Sequence, residues 1–162
     1  MPGWSVADRT PAVEAFWAAY RTASGVGHDR YDVVAMGDSP ELADELLALI
    51  LAGPKRATAS LARDYGEGRA PLPAAGDHVV VTDAGGVPRC IWRTTEATVK
   101  PLIAVDDAFA WDEGEGDRSR AFWLDAHRTY FARQAVREGF VLTDAEPTVF
   151  ERFRLVWPTP DP

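Results

Sequence analysis

Residues 46–61 read "LLALILAGPKRATASL", and the Gly53-Pro54 pair at their centre restricts the fold more than any other stretch of the chain. An apolar run with helical spacing arrives at a glycine suited to the left-handed residue that closes a helix. The proline behind it cannot continue that helix. Lys55 and Arg56 follow at once. A partial period-two alternation comes next, with Ala57, Ala59 and Leu61 on one face and Arg56, Thr58 and Ser60 on the other. The pattern predicts a core helix that turns directly into a strand, with a lysine at the junction.

The other elements read from the same kinds of signal. Thr10-Pro11 starts a helix whose Val13, Phe16, Trp17 and Tyr20 form one aromatic face, ending at Ser24-Gly25. Asp38-Ser39-Pro40-Glu41 repeats the start, and Leu42, Leu46, Leu49 and Ile50 give the second helix its stripe. "AAGDHVVVTDAGGVPRCIWRTTEATV" predicts two strands joined at Asp83-Ala84-Gly85-Gly86. "DAFAWDEGEGDRSRAFW" passes from a short helix through an acidic glycine loop into a long helix, from Asp117 or Arg118 to Glu138. "PTVFERFRLVWP" alternates as a final strand.

Strict βαβ alternation is absent, and no glycine-rich loop follows a strand, which argues against a dinucleotide site. The expectation is one α+β domain over residues 1–162, built on a small mixed or mostly antiparallel β-barrel with flanking helices. The helix at about residues 10–24 would be an N-terminal extension.

Composition narrows the function. A hydrophobic share of 46 % is enough for a real core, and no apolar run reaches the roughly 18 residues of a membrane span. "MPGWSVADRT" lacks the basic start and apolar stretch of a secretory signal, so a cytoplasmic protein is expected, without a membrane partner. The net charge of −8 argues against duplex DNA, whose binding relies on many phosphate contacts. A local basic pocket for one nucleotide or a short single strand remains possible, because Lys55, Arg56, Arg63, Arg69, Arg89 and Arg93 share one segment. Cys90 reads as a buried, inert thiol. His28, His78 and His127 lack ligand spacing, so neither metal nor cofactor is expected, although a metal site assembled from distant carboxylates stays open.

Lys55 has two readings. With Arg56 it could cover the carbonyl end of the helix, where cations suit the macrodipole. Alternatively, Lys55 and Thr58 converge on a concave surface and bind a carbonyl or phosphate oxygen, the lysine acting as a cation or, if desolvated, as a base.

The octet "GPKRATAS" resembles the G-x-K-x-x-T-x-[RS] signature of the ASCH family. The similarity continues through "FWAAY", "MGDSPELADELLALILAG", "PLPAAGD", "CIWRTTEATVKPL", "FAWDEGEGDRSRAFWLDAH" and "FERFRLVW". The resemblance implies a PUA-like barrel with a cleft beside the signature, in a superfamily that commonly binds RNA. One ASCH branch hydrolyses N-acetylated cytidine without a metal, using the signature lysine and threonine with a glutamate that precedes the later helix. Here those positions are Lys55, Thr58 and Glu115, with Glu113 as a rival for the third. Another branch is a ribonuclease acting on single-stranded RNA.

The implied ligand is therefore a small nucleoside or single-stranded RNA. Arg56, Ser60, Arg63, Glu113, Trp111 and Trp123 are candidate substrate contacts beside the catalytic three. Tyr65 and Trp92 are further stacking candidates, and His127 is a candidate acid or base for ribonuclease chemistry.

Overall fold

The computed structural model describes residues 4–159, with side chains described from residue 7 onward. Helix starts fall where a short polar side chain caps the first free N–H groups. Thr10 caps α1 (Pro11–Ser24), Ser39 caps α2 (Pro40–Ala52), Asp106 caps α3 (Asp107–Glu113) and Ser119 caps α4 (Arg120–Glu138). The long helix starts later than Asp117 or Arg118. The Asp117 carboxylate accepts from the Ser119 N–H at 2.8 Å, and Arg118 has a φ of 64°, so both belong to the preceding turn.

The strands are β1 (Trp4–Val6), β2 (Asp32–Met36), β3 (Ala57–Leu61), β4 (His78–Thr82), β5 (Pro88–Pro101) and β6 (Pro147–Trp157). They form one sheet in the order β1-β2-β4-β5-β6-β3, curled into a half-barrel. β2 and β4 run parallel, and every other neighbouring pair is antiparallel.

The sequence pattern marks neither β1 nor β2. Val33, Val34 and Met36 of β2 are all buried, so its five residues show no alternation by which to recognise a strand. β3 is buried throughout as well, Thr58 and Ser60 included.

Three apolar clusters hold the layers together. α1 packs Val13, Trp17 and Tyr20 on Val33, Val80 and Ile91. α2 packs Leu46, Leu47 and Ile50 on the opposite side of the sheet, where the Trp92 and Phe153 rings stack at 4.2 Å. α3 and α4 close the third cluster, with Phe109, Trp123 and Phe131 against Ala57, Leu61 and Phe150. Each large side chain buried this way contributes about 2 to 3 kcal/mol before entropy is counted. Among the described residues, no helix is long and apolar enough to cross a membrane.

Candidate active site

Gly53 closes α2 with a φ of 116°, its N–H bonded to the Leu49 carbonyl at 3.1 Å, and the chain then drops into β3. Arg56 takes the helix end: its guanidinium donates to the Ile50 carbonyl at 2.9 Å and to that of Lys55 at 2.8 Å. Lys55 is therefore free to turn inward. Only 1 % exposed, its Nζ donates to Glu113 Oε2 at 2.6 Å and to Glu115 Oε2 at 3.0 Å.

The loop after α3 carries both carboxylates because glycines let it approach. Gly114, at φ 70°, lies so close to the Pro54–Lys55 backbone that a Cβ would stand 2.5 Å from the Pro54 carbonyl. A backbone bond from Arg56 N–H to the Asp112 carbonyl, 2.6 Å, fixes the same junction. Gly116, at φ 58°, lies flat on the Phe122 ring, where any side chain would overlap it. The repeated Glu-Gly in "EGEG" is thus what puts two carboxyl groups on one ammonium.

The electrostatics separate the two glutamates. Burial alone would push the Lys55 ammonium down, but Glu113 and Glu115 together outweigh it and raise its pKa above the ordinary lysine value. Lys55 is a cation here, not a base. Burial would likewise raise Glu113, yet Lys55 and His127 overcome it and hold that carboxyl below the usual range. Glu115 goes the other way. Burial, reinforced by the Glu113 charge, carries it up to about 7 against the pull of Lys55. His127 Nε2 completes the cluster, 3.4 Å from Glu113 Oε1. One donor atom each from Glu113, Glu115 and His127 lie within 4.8 Å of one another, a spacing that could suit a metal ion. The Lys55 ammonium already supplies the positive charge at that point, so the residues form an ion cluster.

These residues line a cavity of about 260 Å³. Thr58 also lines it, its hydroxyl making no hydrogen bond among the described residues. Leu42 and Leu46 give one apolar wall, and α4 gives the other through Phe122, Ala126 and Tyr130, with Arg133 beyond them. The α4 residues recur at helical spacing on one face, a signal that the sequence itself carries.

Five of the expected substrate contacts lie outside this cavity. Arg56 caps α2. The Ser60 hydroxyl is taken up by the Tyr65 hydroxyl at 2.8 Å. Arg63 stacks over Phe140, and Trp111 lies under Arg118 at 56 % exposure. Trp123 is core, sandwiched between His127 and Phe150. Tyr65 and Trp92 line a separate cavity of about 140 Å³ with Thr94 and Glu151. Cys90 is fully buried, and burial pushes its thiol up to about 12.

A curled half-barrel with helices against it defines an α+β domain of the PUA-like kind. The chain belongs to the ASCH domain family, whose profile matches residues 32–157. α1 precedes the matched segment.

Two crystal structures resemble the chain along most of its length. One is an ASCH domain from Lactobacillus crispatus JV V101, 29 % identical with a TM-score of 0.83, covering 91 % of this chain and 95 % of that one. The other, a protein of Enterococcus faecalis V583 assigned to the family DUF984, is 27 % identical with a TM-score of 0.81, covering 90 % and 92 %. Comparison with curated protein sequences gives no match.

Proposed function

We propose that this chain hydrolyses the exocyclic amide of an N-acylated nucleoside, N-acetylcytidine being the test substrate. The observation that carries the reading is a buried lysine cation shared by two carboxyl groups of opposite protonation tendency, beside an unbonded threonine hydroxyl. Amide hydrolysis needs an activated water, a stabilised oxyanion and a protonated leaving amine. Ionised Glu115 takes a proton from the attacking water. Lys55 and Thr58 donate to the oxyanion as the carbonyl becomes tetrahedral. Glu115 then passes its proton to the departing ring amine, giving cytidine and acetate. A carboxyl with a pKa of about 7 suits both halves of that cycle near neutral pH. The apolar walls and the Phe122 ring suit a flat base.

The test follows cytidine release by chromatography. Release by the native protein, reduced at least about 100-fold in Glu115→Gln, is the expected result. Absence of release above the variant's background overturns it.

Phe122, 41 % exposed at the cavity, favours a second reading in which the same cleft stacks a base of single-stranded RNA. RNA binding weakened by Phe122→Ala, without cytidine release, would select that reading.

A further inference from the structure

Two carboxyl groups meeting at one ammonium accommodate one shared proton more easily than two negative charges. Which of them keeps the proton decides what the cavity can do. The Glu115 side chain is 23 % exposed and that of Glu113 only 1 %, so only Glu115 can exchange protons with a ligand. Lys55 alone does not make the choice: its Nζ donates to both carboxylates, at 2.6 Å to Glu113 and 3.0 Å to Glu115, and so favours the ionised form of each, that of Glu113 somewhat more. Burial makes the opposite choice: it penalises charge most on the deeper group and by itself would protonate Glu113.

The remaining contact belongs to His127. Its ring lies on the Trp123 indole, 3.8 Å between centroids and 13° from parallel, and its Nδ1 is 2.8 Å from the Trp123 carbonyl oxygen. A carbonyl only accepts, so Nδ1 carries a hydrogen and Nε2 faces α3. There it meets Glu113 Oε1, an oxygen shut off from solvent that has no other partner among the described residues. At 3.4 Å, Nε2 is within ion-pair range of that oxygen. The charged groups facing the ring are Glu113 from α3, Glu115 from the following loop and Lys55 from the turn before β3; Phe131 is its apolar neighbour.

We propose that His127 is a positioning residue: held by Trp123, it pairs with Glu113 alone and so assigns the shared proton to Glu115. The proposal deepens the reading of Glu115 as the acid–base group. Its test does not require turnover.

The side-chain carboxyl carbons of Glu113 and Glu115 are followed by carbon NMR across pH, with Glu113→Gln and Glu115→Gln assigning the signals. In the native protein Glu115 titrates near neutrality, and Glu113 stays ionised from about pH 5 to about pH 9. His127→Phe keeps the stacking on Trp123 and loses the polar contact. In that variant Glu113 titrates within the window, and the Glu115 midpoint falls. His127→Gln, whose amide N–H can reach the same oxygen, gives an intermediate displacement.

Carbons that titrate as in the native protein in a folded His127→Phe overturn the proposal. If that variant does not fold, native-like carbons in His127→Gln do the same. Turnover separates the two ideas. Carbons that move as described in a protein without cytidine release leave this assignment standing and remove the hydrolase. Cytidine release with an unchanged pH profile in His127→Phe keeps the hydrolase and removes the assignment. Where both hold, kcat falls about 10- to 100-fold in His127→Phe with KM nearly unchanged.

Discussion

Gly114 and Pro54 touch backbone to backbone, and this contact, made between residues 60 positions apart, sets the distance from Lys55 to both glutamates. A Cβ at Gly114 would meet the Pro54 carbonyl at 2.5 Å, and the φ of 70° disfavours a side chain as well. Gly114→Ala is expected to cost about 2 to 4 kcal/mol in urea denaturation, from strain plus forced separation of the loop. Gly139→Ala is the control, because its φ of 75° is similar and nothing stands within 4 Å of its Cβ. It should cost only about 1 kcal/mol. Equal losses at the two positions would show that the close approach contributes nothing.

Removing the lysine cation exposes the cost of the buried charge it balances. Lys55→Met removes the ammonium from Glu113 in a site 1 % exposed and leaves it only the 3.4 Å contact with His127 among the described ionisable side chains. Breaking such a pair from one side costs about 3 to 5 kcal/mol. In Lys55→Met/Glu113→Gln both charges go together, and most of that loss should return. A double variant as unstable as the single one would mean that packing, rather than charge balance, is lost with Lys55.

The sequence exposed the helices more clearly than the sheet. Ser39-Pro40 and Gly53-Pro54 mark α2 to the residue, because capping chemistry is local. β2 escaped notice because burial on both faces removes the alternation by which a half-buried strand is recognised. At the site, Lys55, Thr58 and the two glutamates could be named from the ASCH-like signature and the "DEGEGD" loop, and they line one cavity. Their division of labour was not legible, since it depends on a histidine delivered by α4, 12 residues beyond Glu115. Arg56, Ser60 and Trp123 lie outside that cavity for a common reason. Residue type identified them as possible ligand contacts, whereas each is engaged by a neighbour, the end of α2, Tyr65 and His127 respectively.

Thr58 tests whether the hydroxyl or merely the side-chain volume matters. Thr58→Val keeps the shape, and no hydrogen bond among the described residues is lost with the hydroxyl. Stability should change by less than about 1 kcal/mol. If the hydroxyl donates to the oxyanion, cytidine release should fall about 100- to 1000-fold, mainly in kcat. A drop confined to KM would place Thr58 in substrate binding instead.

Glu151 offers a measurement in the second cavity, directly across the β3–β6 ladder from Thr58. It lies on β6, is 3 % exposed, and accepts from the Thr94 hydroxyl at 2.6 Å, with no cation in the cavity it lines. Burial raises it from 4.5 to about 7. A carboxyl raised on folding adds stability below its unfolded pKa and loses that contribution as pH rises through the folded value. The loss therefore spans the interval from about 4.5 to about 7, in the direction opposite to that of Glu113, whose lowered value makes stability fall with acid. Glu151→Gln preserves the shape without the ionisation. Its stability relative to the native protein should thus rise with pH over that interval, by roughly 3 kcal/mol if the whole shift is expressed. Urea denaturation at about pH 5 and about pH 8.5 reads the difference. A gap that does not widen with pH would mean that Glu151 is solvated or paired when ionised, and that its burial does not govern its charge.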